Sequence, residues 1–200
     1  MGVLDADNLD IDPYQLFDSW FAEAKKSEIN DADAMAIASV DNDGMPSVRM
    51  VLLKEVTSEG FVFYTNYTSR KASELLATGK AAFVIHWKSL RRQVRVNGKV
   101  EQVPGAQSDA YFSSRPRGSQ IGAWASDQSK SLDSRKTLEQ AVADAETRYP
   151  QDIPRPPHWG GFLIRPDEIE FWADGKYRLH DRFRYTRNAA GIWQAARLYP

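Results

Sequence analysis

Residues 113–129 read SSRPRGSQIGAWASDQS and combine the groups that a phosphate-binding segment uses. Arg115 and Arg117 supply guanidinium groups, Ser119 supplies a hydroxyl, and two glycines let backbone N–H groups approach a ligand closely. Such donors hold phosphates through charge-assisted hydrogen bonds. Pro116 disfavours helical geometry in the residue before it, so a helix is expected to end there. The stretch is therefore predicted to be a loop after a helix, and its donors predict that it binds phosphate. The alternative is an ordinary polar surface loop.

The segment Arg49–Lys54 (RMVLLK) has a base at each end of an apolar run. In a strand, side chains alternate between two faces, so Arg49 and Lys54 point to opposite sides. One strand could therefore offer cations to two places. Alternatively, the two bases merely flank a buried strand.

A second basic group follows Tyr64 and Thr65, where Ser69, Arg70 and Lys71 begin a predicted helix. Bases in a first helical turn oppose the helix dipole unless an anion binds there. The pattern suggests an anion site, although exposed bases are common at such positions.

Two further segments carry clustered cations. Residues 91–95 (RRQVR) fit a solvated strand edge or a nucleic-acid contact, and the near-neutral total charge argues against nucleic acid. In a strand, Arg178, His180 and Arg182 would share one face, which predicts a ligand-binding surface. Tyr111 and Arg115 are four residues apart and would share one face of a helix, with Ser119 just beyond Pro116.

The elements that must position these residues are mostly strands joined by hairpin-like turns. The predicted strands are residues 34–40, 47–56, 61–66, 81–87, 93–103, 162–164, 168–172, 177–185 and 193–198. Asn97-Gly98 is expected to form a bend or bulge. Helices are predicted to start at Pro13 and to cover residues 69–77, 106–114 and 134–149. This order indicates a mainly β fold with flanking helices, an antiparallel sheet or barrel.

The composition narrows the class of protein. Two hundred residues suit one domain, expected over 13–200, after a mobile acidic segment at 1–12. Basic and acidic residues number 26 and 27, so no global field recruits nucleic acid or a membrane. The absence of cysteine excludes disulfides and a cysteine nucleophile and fits a cytoplasmic location. The three histidines lack metal-ligand spacing, so no metal site is predicted.

Taken together, several segments resemble the pyridoxine/pyridoxamine 5′-phosphate oxidase family of flavin enzymes. The matching motifs are RMVLLK (49–54), FYTNYTSRKA (63–72), RRQVRV (91–96), YFSSRPRGSQIGAWASDQS (111–129), WGGF (159–162), IEFW (169–172), RLHDR (178–182) and RLYP (197–200). They occur in the family's order and spacing. The resemblance implies a split β-barrel and a homodimer that holds FMN in clefts at its interface.

The resemblance also implies roles for individual residues. The FMN site would comprise Arg49, Met50, Val51, Leu52, Leu53, Lys54, Tyr64, Thr65, Arg70, Lys71, Gln93, Gln128, Ser129, Trp172 and Arg182. The substrate would contact Lys54, Tyr111, Arg115, Ser119, Arg178, Leu179 and His180. Of these, Lys54, Tyr111, Arg115 and Ser119 would hold the substrate phosphate. Arg178 and His180, the implied catalytic residues, would cover the pyridine ring on the side away from the flavin.

The implied reaction converts pyridoxamine 5′-phosphate and pyridoxine 5′-phosphate into pyridoxal 5′-phosphate. A hydride leaves the C4′ carbon for the flavin, and oxygen reoxidises the flavin with release of hydrogen peroxide. Ammonia is also released from the amine.

Some family members carry a basic, tyrosine-bearing segment before the first helix, whereas this chain begins MGVLDADNLDID, so no lid residue is assigned. Alternatives are a flavin reductase, a non-catalytic carrier of FMN or pyridoxal phosphate, and a nucleic-acid-binding barrel.

Overall fold

Eight strands form one antiparallel sheet in the computed structural model, which describes residues 10–200. The strands are β1 (Ala34–Val40), β2 (Pro46–Thr57), β3 (Gly60–Asn66), β4 (Lys80–Trp87), β5 (Arg92–Gln102), β6 (Trp159–Ala173), β7 (Asp181–Arg187) and β8 (Trp193–Arg197). Their order is β3-β2-β1-β4-β5-β6-β7-β8, and β3 also pairs with β6. That last pairing closes six strands into a barrel, so the predicted barrel is confirmed. Strands β7 and β8 continue from β6 outside it.

Five helices flank the barrel within residues 10–200: α1 (Pro13–Ser27), α2 (Arg70–Thr78), α3 (Gly105–Ser114), α4 (Arg117–Ala125) and α5 (Arg135–Arg148). Helix α1 begins at Pro13, as predicted, and the Asp12 carboxylate caps its first turn. It packs Phe17 and Trp20 into the aromatic core, where the Phe17 ring lies 5.0 Å from that of Phe61. Among residues 10–200, no helix is both long and apolar enough to cross a membrane. The predicted mobile segment lies outside the described residues over 1–9.

Strand β6 is one strand of 15 residues, whereas the sequence predicted two short strands, 162–164 and 168–172. Pro166 suggested an interruption because it has no backbone N–H. In the structure Pro166 pairs with Gly98 where the register of β5 against β6 shifts, so the predicted irregularity at Asn97-Gly98 is confirmed. A Cβ at Gly98 would lie 2.1 Å from the Arg165 carbonyl oxygen. Glycine lets β6 continue through its proline at a bulge.

The strand predicted over residues 177–185 is wrong in its first part. Lys176–Arg178 form a short 3-10 turn in which Tyr177 and Arg178 adopt φ values of 58° and 65°. Strand β7 starts only at Asp181. A left-handed backbone ends the period-2 alternation, so Arg178, His180 and Arg182 do not lie along one strand face.

Candidate active site

A cavity of about 740 Å³ opens between the barrel wall and helices α3 and α4. It is lined by residues from β2, β3, α2, α3, α4 and β6 and from the segments that follow α3 and α4. The predicted site residues in its lining are Met50, Val51, Leu52, Lys54, Tyr64, Thr65, Lys71, Tyr111, Arg115, Ser119 and Gln128. Residues scattered over about 80 positions of sequence are therefore brought to one cavity.

The predicted alternation along β2 is confirmed by burial. Leu53 is in the core and Arg49 is partly buried, whereas Met50 and Leu52 are exposed. Lys54 is partly buried and forms an ion pair of 2.6 Å with Asp33. Strand β2 thus presents its two cations to different surroundings.

Lys71 is a buried cation at the start of α2. Its ammonium group donates to the Thr65 hydroxyl at 2.9 Å and to the Gln128 side-chain carbonyl at 2.7 Å. Burial, reinforced by the nearby positive charge of Arg49, lowers the pKa of Lys71 to about 8. Because its acceptors within residues 10–200 are all neutral, this desolvated ammonium group would gain from an anion.

Glu74, which the sequence analysis did not single out, organises the two arginines predicted beside Lys71. Its carboxylate is 5% exposed and pairs with Arg49 at 3.1 Å and with Arg70 at 2.7 Å. It also accepts hydrogen bonds from Ser39 and Ser47. Burial raises the pKa of Glu74, but these hydrogen bonds outweigh burial and lower it to about 2. The sequence signal was the i,i+4 spacing of Arg70 and Glu74 on a helix.

Arg115 follows α3 and is the least satisfied cation of the cavity. Its guanidinium lies over the Trp159 ring, 4.7 Å from the centroid, and its Nη1 atom is buried and has no hydrogen-bond partner within residues 10–200. Burial lowers the pKa of Arg115, and the nearby Tyr111 offsets part of that effect. A buried donor without an acceptor is costly, so this position favours an anionic ligand.

Three aromatic rings stack beside Arg115. Tyr64 and Tyr111 lie 3.9 Å apart with nearly parallel planes, and Trp159 lies 5.4 Å from Tyr64 on a parallel plane. Trp159 belongs to the WGGF motif, but the sequence analysis gave it no site role. The stack forms a rigid apolar wall next to the cation.

The segment predicted as a phosphate-binding loop is instead largely helical, since α4 covers Arg117–Ala125. Pro116 does end α3, as predicted, and it also stands at the N-cap of α4. The two glycines weaken a helix by about 1 kcal/mol each, but Ile121 is 2% exposed and anchors α4 to the rest of the chain. Ser119 lies in the first turn of α4, where its N–H donates to the Pro116 carbonyl at 2.8 Å, and the residue lines the cavity.

The remaining predicted residues lie outside this cavity lining: Arg49, Leu53, Arg70, Gln93, Ser129, Trp172, Arg178, Leu179, His180 and Arg182. Three of them form a row across neighbouring strands, since Gln93 pairs with Trp172 and Trp172 pairs with Arg182. The His180 ring lies 4.6 Å from that of Trp172. Arg178 and Leu179 are exposed in the turn before β7. The part of this set on β5, β6, β7 and the turn before β7 is called the β5–β7 surface: Gln93, Trp172, Arg178, Leu179, His180 and Arg182.

The cavity and the β5–β7 surface belong to different walls of the barrel. In the closed order of six strands, β2 and β5 are three strands apart in either direction. Side chains that point outward from β2 and from β5 therefore face away from each other. One chain does not unite the two predicted halves of the site.

A closed six-stranded antiparallel barrel with flanking helices defines a split β-barrel protein, and the cationic cavity lies on the outside of that barrel. Family comparisons define it further. The model described as pyridoxamine 5′-phosphate oxidase matches residues 21–149, and the model described as the pyridoxine 5′-phosphate oxidase C-terminal dimerisation region matches residues 159–200. The chain belongs to the pyridoxamine 5′-phosphate oxidase family.

Curated relatives and solved structures agree with this assignment. A Brucella canis protein named pyridoxine/pyridoxamine 5′-phosphate oxidase is 59% identical over 191 residues, which cover 94% of each chain. A Brucella abortus protein of the same name is also 59% identical and covers 94% of this chain and 92% of its own. Burkholderia lata PhzG, solved with tetrahydrophenazine-1-carboxylic acid, superposes with a TM-score of 0.94 at 30% identity, covering 100% and 98% of the two chains.

Proposed function

We propose that this protein oxidises pyridoxamine 5′-phosphate and pyridoxine 5′-phosphate to pyridoxal 5′-phosphate, with FMN as cofactor and oxygen as electron acceptor. The observation that carries the proposal is the buried Nη1 of Arg115, which no group of the described part of the chain accepts from, in a cavity that Tyr111 and Ser119 also line. A substrate phosphate would supply the missing acceptor. The name shared by relatives at 59% identity supports this choice of substrate.

The chain's donors suit the phosphate of FMN. Lys71 and the N-terminus of α2 are positive, and Ser69 caps that helix. With Arg49 and Arg70, the group holds three cations against the single carboxylate of Glu74. The resulting formal charge of about +2 matches a phosphate monoester dianion. The proposed FMN residues are Arg49, Met50, Val51, Leu52, Leu53, Lys54, Tyr64, Thr65, Arg70, Lys71, Gln93, Gln128, Ser129, Trp172 and Arg182.

In the proposed mechanism, bound FMN would supply the redox chemistry, a two-electron oxidation of the substrate with oxygen as the final acceptor. The protein's residues bind and orient. Arg115, Tyr111, Ser119 and Lys54 would hold the substrate phosphate, a remote handle whose binding energy aligns the reacting carbon. Arg178 and His180 would cover the pyridine ring. For the amine, oxygen and water are consumed, and the aldehyde, ammonia and hydrogen peroxide are released.

A homodimer would complete the site. Because β2 and β5 occupy opposite walls, the β5–β7 surface of one protomer reaches the cavity of another only across an interface. Exposed apolar side chains on β2, namely Val48, Met50 and Leu52, suit such an interface. The match of residues 159–200 to a dimerisation region supports this arrangement.

Purification and assay test the function. The protein is expected to carry or to take up FMN and to release hydrogen peroxide with either phosphorylated vitamer. Flavin binding without turnover would favour the carrier or a different substrate. Tetrahydrophenazine-1-carboxylic acid, the ligand of the PhzG structure, is tested as the alternative substrate in a separate assay. Failure to bind flavin at all would exclude both the FMN-dependent oxidase and the flavin carrier.

A further inference from the structure

Glu55 lies on β2 directly after the RMVLLK segment, where the register of β2 against β3 shifts between Leu53 and Glu55. It is absent from the cavity lining and from the proposed site. Both of its carboxylate oxygens are nevertheless engaged in hydrogen bonds to side chains of other elements. The Tyr64 hydroxyl donates to Oε1 at 2.6 Å, and the Gln107 amide donates to Oε2 at 2.8 Å.

The first hydrogen bond fixes the Tyr64 ring in the cavity wall. Burial, followed by the hydrogen bond to Glu55 and the charge of that carboxylate, raises the pKa of Tyr64 above its ordinary value. Tyr64 therefore remains a donor towards Glu55. With its hydroxyl held, its ring stays parallel to Tyr111 at 3.9 Å.

The second hydrogen bond ties helix α3 to the barrel. Gln107, Tyr111 and Arg115 are spaced four residues apart, so Gln107 and Tyr111 share one face of α3 and Arg115 follows at its end. Elsewhere along α3, Arg155 holds Asp109 at 2.6 Å and Gly161 N–H donates to Ser108 at 3.2 Å. The contact with Glu55 is the anchor made by the side chain four residues before Tyr111, in line with both Tyr111 and Arg115.

We propose that Glu55 is a positioning residue that sets Tyr64 and α3 in register and thereby places Tyr111 and Arg115 for the substrate phosphate. This inference rests on the proposed function. Glu55 acts through its two hydrogen bonds rather than through its charge, since a carboxylate near a phosphate site would by itself weaken anion binding.

Three variants separate hydrogen bonding from charge. Glu55→Ala removes both acceptors. Glu55→Gln removes the charge but retains an oxygen for Tyr64, and rotation of the Gln107 amide restores the second contact. Gln107→Leu frees α3 and leaves the contact with Tyr64. Glu101→Ala is the matched control. Glu101 lies on β5, pairs with Arg165 of β6 at 2.6 Å and does not line the cavity.

The first measurement is the equilibrium Kd of flavin-free protein for pyridoxal 5′-phosphate and for pyridoxal. Glu55→Ala is expected to weaken the phosphorylated ligand about tenfold and Gln107→Leu about fivefold, the range of a lost charged or neutral hydrogen bond. Glu55→Gln is expected to stay within about threefold of the unmodified protein. Pyridoxal should bind all variants alike. The second measurement is turnover, where KM for pyridoxamine 5′-phosphate should rise and kcat should hold.

Two results would overturn the inference. One is tighter binding by both Glu55→Ala and Glu55→Gln, because loss of charge alone would then explain the effect, or equal weakening by both, because the hydrogen bonds that Glu55→Gln retains would then not position the site. The other is an unchanged ratio of the two Kd values in Gln107→Leu, which remains informative even if Glu55→Ala does not fold. If the unmodified protein binds pyridoxal 5′-phosphate without oxidising its precursors, the proposed function fails while the binding comparison still tests Glu55.

Discussion

The guanidinium of Arg115 lies over the indole ring of Trp159, with its Cζ 4.7 Å from the ring centroid. The aromatic face holds the cation in place without consuming its N–H donors. The buried Nη1 therefore remains available to the proposed substrate phosphate. This relationship explains how a cavity can keep a guanidinium free for a phosphate while shielding it from water.

Arg115→Ala is expected to raise KM for pyridoxamine 5′-phosphate about tenfold or more, equivalent to at least about 1.4 kcal/mol. Steady-state peroxide release measures the effect. Arg135→Ala, on the exposed face of α5, is the matched control. A KM equal to that of the unmodified protein would refute the assignment of Arg115 to the substrate phosphate.

Lys71 predicts a pH dependence of FMN binding. Its pKa of about 8 lies below the ordinary value of 10.5, so the ammonium form is present below pH 8 and is lost as pH rises through it. An anion binds the charged form and raises that pKa. The Kd for FMN, measured by quenching of flavin fluorescence, should therefore increase above pH 8.

Riboflavin provides the control for this prediction because it lacks the phosphate. Its affinity should show no step near pH 8, and Lys71→Met should remove the step for FMN. A step of the same size for riboflavin would mean that Lys71 does not act through the phosphate.

Glu74 predicts a pH dependence of stability. Its folded-state pKa of about 2 lies below the ordinary value of 4.5, so its stabilising effect is present above pH 4.5 and is lost as pH falls towards 2. Urea unfolding across this range should show a smaller acid-induced loss of stability in Glu74→Gln than in the unmodified protein. Equal losses in both proteins would show that Glu74 is not the titrating group.

Met50 tests the dimeric site. Met50 is 61% exposed on β2, and an aspartate there would place a charge in an apolar interface. Met50→Asp is expected to yield a monomer that has lost most of its affinity for FMN. Light scattering and flavin titration measure the two effects, with Leu132→Asp, which is 53% exposed between α4 and α5, as control. A monomer with unchanged flavin affinity would show that one chain suffices.

Local patterns predicted much of the fold because hairpin strands reveal themselves by alternation. Strand β1 has the predicted bounds, and the irregularity at Gly98 was expected from Asn97-Gly98. Long-range geometry caused the errors. Pro166 is tolerated within β6 because the register against β5 shifts there, with Asp167 as the extra residue of β6 and Gly98 opposite the proline, and no local pattern contains that information. The αL conformation of Tyr177, an unusual choice for a tyrosine, was equally invisible.

The candidate site likewise combines residues that local patterns predicted with contacts that only the folded chain creates. The spacing of Tyr111 and Arg115, and the alternation of Arg49 and Lys54, followed from helix and strand periods. Lys71 and Gln128 are 57 residues apart in sequence, and only the resemblance to the family assigned both of them to one site. Glu74 was missed because its i,i+4 spacing from Arg70 is also typical of an exposed helix pair, and Trp159 because a core-like tryptophan has no distinctive pattern.

Anaerobic mixing of the FMN-loaded protein with pyridoxamine 5′-phosphate tests the central claim most directly. The visible absorbance of the bound flavin should bleach while one pyridoxal 5′-phosphate forms per flavin, and admission of oxygen should restore the absorbance with release of hydrogen peroxide. A flavin that stays oxidised in the presence of saturating substrate would contradict the account.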